Sequence, residues 1–159
     1  KPLNPNVKIA ATRKTTPGLR KFEKDAVEAG GGMRHREGLY DQILIKDNHL
    51  KIIGSVGLAV KKARESGLSK LIEVEVVDVA GAKEAAQEKA DIIVLDNMEP
   101  YKAKSIAAII REIQPEVNIE ISGGINPDNI EQYASCADVI SLGWLTHSVK
   151  AVDFSMEFC

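Results

Sequence analysis

Cysteine is almost missing from this chain of 159 residues: only Cys136 and Cys159 occur, and they form no CxxC pair. That excludes a disulfide framework and a thiolate-rich zinc site, and it fits a reducing, cytoplasmic compartment. His49 and His147 stand in no His/Cys/Asp cluster at zinc spacing, so hydrogen-bonding roles are expected of them. Long apolar runs are missing as well. Nothing approaches the roughly 18 residues of a membrane span, and the front carries no leader-peptide pattern, so a soluble protein without membrane partners is expected. Neither sign of charge dominates. With 21 Lys and Arg against 23 Asp and Glu, and a net charge of −2, the chain has no broad basic face for nucleic acid. It has no internal repeat, no Walker pattern, and no serine or cysteine with a basic partner to act as a nucleophile.

What is present, 44% hydrophobic residues, suffices for one globular domain spanning 1–159. The chain begins with Lys1 and reaches strand-like sequence by Val7, which reads as a domain truncated at its front. Short β-type runs then alternate with helical periodicity. Val7 to Ala11 is followed by a helix over Leu19 to Ala29, with Leu19, Phe22, Ala26 and Ala29 on its apolar face. Ile43 to Ile45 precedes a helix over Val56 to Ala63, and Leu71 to Val77 precedes one from about Ala82 to Lys89. Ile92 to Leu95 leads to a helix from about Tyr101 to Ile113. Val117 to Ile121 leads to Asn126, a good N-cap with Pro127 at the first helical position, and a helix to about Ser135. Val139 to Leu142 is the last strand, and the tail offers Val149, Val152 and Phe158 for packing.

Six strands alternating with five helices predict an α/β fold of parallel βα units. Polar residues follow nearly every strand, which points to an incomplete or open parallel βα barrel, TIM-like, in preference to a doubly wound sheet. Thr12 to His49 holds Arg13, Lys14, His35, Arg36 and Lys46 near glycines, prolines and strand ends. Converging cations repel by about 4 kcal/mol per close pair at intermediate dielectric, so such a cluster suits a ligand with several negative charges. A solvated loop is the plainer alternative for any one of them.

Alternation along the third strand puts Glu73 and Glu75 on one face. Glu73 either points inward or lies at the strand's solvated start; Glu75 and Asp96 either hold magnesium or ribose hydroxyls, or, for Asp96, cap a turn near Pro100. Ser122, Gly123 and Gly124 join a strand to a predicted helix, where backbone N–H groups can meet a phosphate, and Gly143 offers a second such position. Each of these is also compatible with a plain glycine turn.

The segments TRKTTPGLR (12–20), GGGMRHREGLYDQILIKDNH (30–49), EVEV (73–76), VLDNM (94–98), ISGGI (121–125) and SLGWLTHS (141–148) run in order through almost the whole chain. Together they resemble the quinolinate phosphoribosyltransferases, the carboxylating nicotinate-nucleotide pyrophosphorylases of NAD biosynthesis. The resemblance implies that Arg13, His35, Arg36 and Lys46 contact the pyridine dicarboxylate with Thr12 nearby, and that Lys14 faces phosphoribosyl pyrophosphate. It implies that Glu75 and Asp96 serve the ribose and its magnesium, and that Ser122, Gly123, Gly124 and Gly143 hold the 5′-phosphate. Lys14, Lys46, Glu75 and Asp96 are the implied catalytic groups. It also implies a homodimer or higher oligomer, in which an N-terminal domain covers the neighbouring subunit's site and lends it an arginine. Nothing here corresponds to that domain, so the segment alone is expected to fold with reduced or no activity. A relative acting on another ring acid, of the kind associated with molybdenum operons, and a noncatalytic binding module are the competing readings. Val77, where the family usually has an acid, and Trp144, where it has a small residue, depart from the pattern.

Overall fold

The computed structural model describes residues 4–158. Its elements in chain order are β1 (Lys8–Ala11), α1 (Arg20–Ala29), β2 (Ile43–Ile45), α2 (Asp47–Ile53), α3 (Val56–Glu65), β3 (Ile72–Val76), α4 (Val79–Gln87), β4 (Ile92–Asp96), α5 (Pro100–Ile113), β5 (Asn118–Ser122), a 3₁₀ turn (Ile130–Gln132), β6 (Val139–Leu142) and α6 (Trp144–His147). The strands form one parallel six-stranded sheet in the order β1-β6-β5-β4-β3-β2. The first strand pairs with the last, as barrel closure requires, but β1 and β2 do not meet, so the barrel is open at one seam.

The sheet's two faces follow from period-two alternation. Ile72, Val74 and Val76, with Ile93, Leu95, Ile119, Ile121, Ile140 and Leu142, pack outward against α3, α4 and α5. The helices meet them with small residues, including Ala59, Ala82, Ala85, Ala103 and Ala107, which lets them lie close. Ser55 caps α3 by accepting from Leu58 N–H, Asp78 caps α4 by accepting from Gly81 N–H, and Pro100 stands in the first turn of α5. The other face is polar. Glu75, Val94 and Glu120 lie in one interstrand row, and Asp96, Ser122, Ser141 and Ala10 in the next. Acids and hydroxyls are thereby stacked toward the carboxyl ends of the strands.

Part of the open seam is occupied by the long connection between α1 and β2. Met33 makes a parallel bridge to Ala10, with Met33 N–H donating to Ile9 at 2.7 Å and Ala11 N–H to Met33 at 2.9 Å. The backbone then carries His35 at φ +55, a left-handed value uncommon outside glycine. Lys24, fully buried on α1, fixes this turn by donating to the carbonyls of Arg34 and Arg36.

Four local expectations are corrected. The apolar face expected on α1 is turned outward: Leu19, Phe22, Ala26 and Ala29 are exposed, because the buried side of this helix is given to Lys24. The helix expected from Pro127 to Ser135 is reduced to the single turn Ile130–Gln132. There Asn126 Oδ1 accepts from Asp128 N–H and Asn129 Oδ1 from Asn126 N–H, local bonds that compete with a helical ladder. α2 falls where only a connection was expected; Lys46 N–H donates to His49 Nδ1 at its start and Gly54, at φ +99, ends it. In the tail, Val149, Val152 and Phe158 are exposed and do not pack.

Candidate functional site

The carboxyl ends of the strands surround a cavity of about 270 Å³. Thr12 and Lys14 enter it from the end of β1, His35 and Arg36 from the seam segment, and Lys46 from the end of β2. Glu73 and Glu75 come from β3, Asp96 and Asn97 from β4, Glu120 and Ser122 from β5, with Gly123 and Gly124 just beyond. A second hollow of about 240 Å³ shares Thr12, Lys14, Ser122, Gly123 and Gly124 and adds Gly143, Trp144 and His147. Trp144 therefore forms part of that wall. The largest cavity, about 1080 Å³, lies toward the amino ends of the strands, where the unclosed barrel leaves its interior hollow. It shares His35, Arg36 and Glu120 with the smaller site, so these residues form the partition between the two ends.

Of the residues expected from the sequence to contact substrate, phosphate or metal, all but Arg13 and Gly143 line the first cavity, and Gly143 lines the second. Arg13 lines neither. Its Nε is buried without a hydrogen-bond partner among the described residues. Burial, with the neighbouring Arg20 and Arg36 cations, pulls its pKa below the usual guanidinium value against Asp41 and Tyr40.

The close approach of the turn to Asn97 favours glycine most at 123. Gly123 has φ +92, and a Cβ there would lie 2.4 Å from Asn97 Oδ1 and 2.9 Å from Asn97 N. A Cβ on Gly143 would lie 2.4 Å from His147 Nε2. Thr146 Oγ1 donates to the Lys14 carbonyl at 2.5 Å, tying α6 to the end of β1. His49 and His147 make hydrogen bonds, to Lys46 N–H and with Ser148 Oγ, as expected from the sequence.

Charge is arranged in two layers. Near the mouth, Lys46 Nζ pairs with Glu75, and Asn97 Nδ2 donates to Asp96 Oδ2 at 2.8 Å. Deeper, His35 Nε2 lies 2.9 Å from Glu120 Oε2 and 3.8 Å from Glu73 Oε1, and Gln42 Nε2 donates to Glu73. Burial, and then the Glu120 charge, push the Glu73 carboxyl up to about 7, against the pull of His35 and Arg36. Burial draws the His35 pKa down, but the Glu120 hydrogen bond and the charges of Glu120 and Glu73 outweigh it, and the net direction is up. Ligand atoms of His35, Glu73 and Glu120 all lie within 4.8 Å of one another. Of the two acids, His35 is within hydrogen-bond distance of Glu120, while Glu73 takes its hydrogen bond from Gln42. Glu75 and Asp96 sit at the ends of neighbouring strands and line both the mouth and a third hollow behind it, beside Asp47 and Asp78. Such partly open carboxylate oxygens are the hard donors that magnesium takes together with water and phosphate oxygens, so the donor set fits that ion.

Glu120, Asn97 and Gln42 were not singled out from the sequence. For Glu120 a signal existed: two residues before Ser122 on a strand, it must share that residue's face.

The fold and site define an open parallel βα barrel with cations, paired acids and glycine turns gathered at the carboxyl ends of its strands. A family model described as quinolinate phosphoribosyl transferase, C-terminal domain, matches residues 2–157, and the chain belongs to that family. It is similar to a probable carboxylating nicotinate-nucleotide pyrophosphorylase of Methanocaldococcus jannaschii, 48% identical over 99% of this chain and 57% of the relative. The carboxylating nicotinate-nucleotide pyrophosphorylase of Rattus norvegicus is 42% identical over 94% of this chain and 50% of its own length. The crystal structure of NadC from Streptococcus pyogenes superposes with a TM-score of 0.88 at 43% identity, over 98% of this chain and 54% of the other. The chain thus spans a little over half the length of these relatives. Among the described residues, no helix is long and apolar enough to cross a membrane.

Proposed function

We propose that this domain carries the site for phosphoribosyl transfer from phosphoribosyl pyrophosphate to quinolinate, giving nicotinate mononucleotide, carbon dioxide and pyrophosphate. The observation that carries the reading is the meeting of Lys14, His35, Arg36 and Lys46 with Glu75, Asp96 and the 122–124 turn around one small cavity. The names of the relatives, which specify a carboxylating pyrophosphorylase, support it.

In this reading Arg36, His35 and Lys46, with Arg13 behind them, hold the two carboxylates and set the pyridine nitrogen in line with C1 of the ribose. The 5′-phosphate rests on Ser122, the amides of Gly123 and Gly124, and Gly143. Lys14, between the two hollows, faces the pyrophosphate. The incoming carboxylate competes with Glu75 for Lys46, which frees Glu75 to join Asp96 against the sugar. As the nitrogen bonds to C1 and the C1–O bond to pyrophosphate breaks, these two carboxylates stabilise the oxocarbenium-like charge. Glu75 and Asp96 would hold magnesium, which when bound would supply neutralising charge for the pyrophosphate. The quaternised ring nitrogen then draws in the electron pair of the bond to the 2-carboxylate; carbon dioxide leaves and C2 takes up a proton. No covalent bond to the protein forms. We propose a homodimer or higher oligomer and a cytoplasmic setting for the whole protein, in keeping with a small-molecule biosynthetic role.

The test is product formation by the intact protein with quinolinate, phosphoribosyl pyrophosphate and magnesium, followed as nicotinate mononucleotide and released carbon dioxide. Lys46→Ala should lower the rate by about 10²- to 10³-fold, the scale for loss of a group aimed at developing charge. Unchanged turnover and binding in Lys46→Ala refutes the assignment. Use of nicotinate without release of carbon dioxide points to a different ring acid.

A further inference from the structure

Glu73 and Glu120 are buried carboxylates on the concave face of the sheet, with side chains 3% and 4% exposed. The proposed reaction gives neither of them a ligand. Two carboxylates held this close inside a protein require compensation by hydrogen bonds or opposite charge. Gln42 supplies it for Glu73. For Glu120 the partner is His35, whose Nε2 stands 2.9 Å from Oε2; with the carboxylate as acceptor, the ring places its proton on Nε2.

The His35 ring has little freedom to choose otherwise. Its backbone is held at φ +55, and Lys24 ties down the carbonyls on either side. Its Nδ1 has no hydrogen-bond partner among the described residues, and the residue lines the cavity at the strand ends. With Nε2–H committed to Glu120, a neutral ring leaves Nδ1 as a bare lone pair, which repels any carboxylate that reaches it. Only the doubly protonated ring offers Nδ1–H as a donor.

We propose that Glu120 is a positioning residue of the dicarboxylate site, fixing the His35 ring through Nε2 so that Nδ1 presents its proton to a substrate carboxylate. The inference rests on the dicarboxylate reading of the cavity. The charged groups facing the ring are Glu120 from β5, Glu73 from β3, Lys24 from α1 and the adjoining Arg36; Lys14, Lys46, Glu75 and Asp96 stand further along the same cavity. The two nearest acids outweigh both burial and the opposing Lys24, and raise the affinity of His35 for its second proton. Glu120→Gln keeps the shape and an acceptor oxygen but removes the charge.

The experiment is an NMR titration of the isotope-labelled His35 ring in the intact protein and in Glu120→Gln, beside calorimetry with quinolinate across about pH 5.5 to 8.5. In Glu120→Gln the ring should lose its second proton at lower pH. Quinolinate affinity should fall about 10- to 100-fold at the alkaline end, the scale of a charge-assisted hydrogen bond, and recover toward the acid end. Glu120→Asp should restore part of it. A ring that titrates identically in Glu120→Gln, or an affinity loss equal at every pH, overturns the proposal, since a merely structural role predicts the latter. If Glu120→Gln does not fold, the unsubstituted protein still decides. A ring deprotonating above about pH 6.5 with Nε2 protonated supports the proposal, and one deprotonating below that overturns it. An intact protein that binds no quinolinate at any pH refutes the dicarboxylate reading, while the ring titration separately shows whether Glu120 governs His35.

Discussion

Gly123 and Gly124 are adjacent, both lie at the proposed phosphate turn, and both have positive φ, yet alanine at the two positions should have different consequences. At Gly124, with φ +64, an added Cβ meets nothing within 4 Å. The cost is the left-handed conformation alone, about 1–2 kcal/mol. At Gly123 the same conformational cost applies at φ +92, and the Cβ would also press to 2.4 Å on Asn97 Oδ1 and 2.9 Å on the Asn97 amide nitrogen. The side-chain contact can swing away, but the backbone contact cannot, because Asn97 N–H donates to the Ser122 carbonyl at 2.9 Å and is held between β4 and β5. Forced overpacking of this kind adds about 1–3 kcal/mol. Gly123→Ala should therefore cost about 2–5 kcal/mol in urea unfolding against about 1–2 for Gly124→Ala. Equal costs for the two alanines would show that the approach of the Asn97 backbone to the turn does not govern this loop.

Lys24→Met should keep the volume of α1's buried side chain but leave the carbonyls of Arg34 and Arg36 without their donor, lowering unfolding stability by about 2–4 kcal/mol and weakening quinolinate binding, both measurable on the same preparation. The pH dependence of stability should carry the mark of His35. With its folded-state pKa raised above 6.5, its contribution is complete below about pH 6.5 and is lost as pH climbs through the raised value. Denaturant unfolding as a function of pH should show that decline, and His35→Asn should flatten it; an unaltered decline means another group is responsible.

The parts of the fold legible in the sequence were those where one physical signal acted alone. β3 reads as IEVEV because its two faces meet different surroundings, and period two put Glu73 and Glu75 on one face, leaving open only whether Glu73 lay inward, where the structure buries it, or at a solvated strand start. The cations at strand ends were visible because the chain turns there. α1 misled because its most informative residue is a lysine: a buried cation that anchors a neighbouring turn looks, in sequence, like part of the solvated face, and Phe22 looks like the core. Helix 127–135 failed for a related reason, since Asn126, the expected cap, and Asn129 are equally good competitors with the helical ladder. Glu120 was overlooked because its meaning depends on His35, far away in sequence, and no local pattern reports that meeting.

The pairing of β1 with β6 also fixes an order of events along the chain. β2 through β5 each pair with a near neighbour in sequence, whereas among the described strands β1 pairs with β6 alone, and the Thr146 to Lys14 bond spans 132 residues. Contacts of such long separation form late, because loop closure must be met before they contribute. The β1–β6 ladder and the Thr146 to Lys14 bond therefore form after β6 has emerged, while Lys46 of β2 and the carboxylates of β3 to β5 are already in place. The acids and Lys46 come together first, and Lys14 is fastened beside them last.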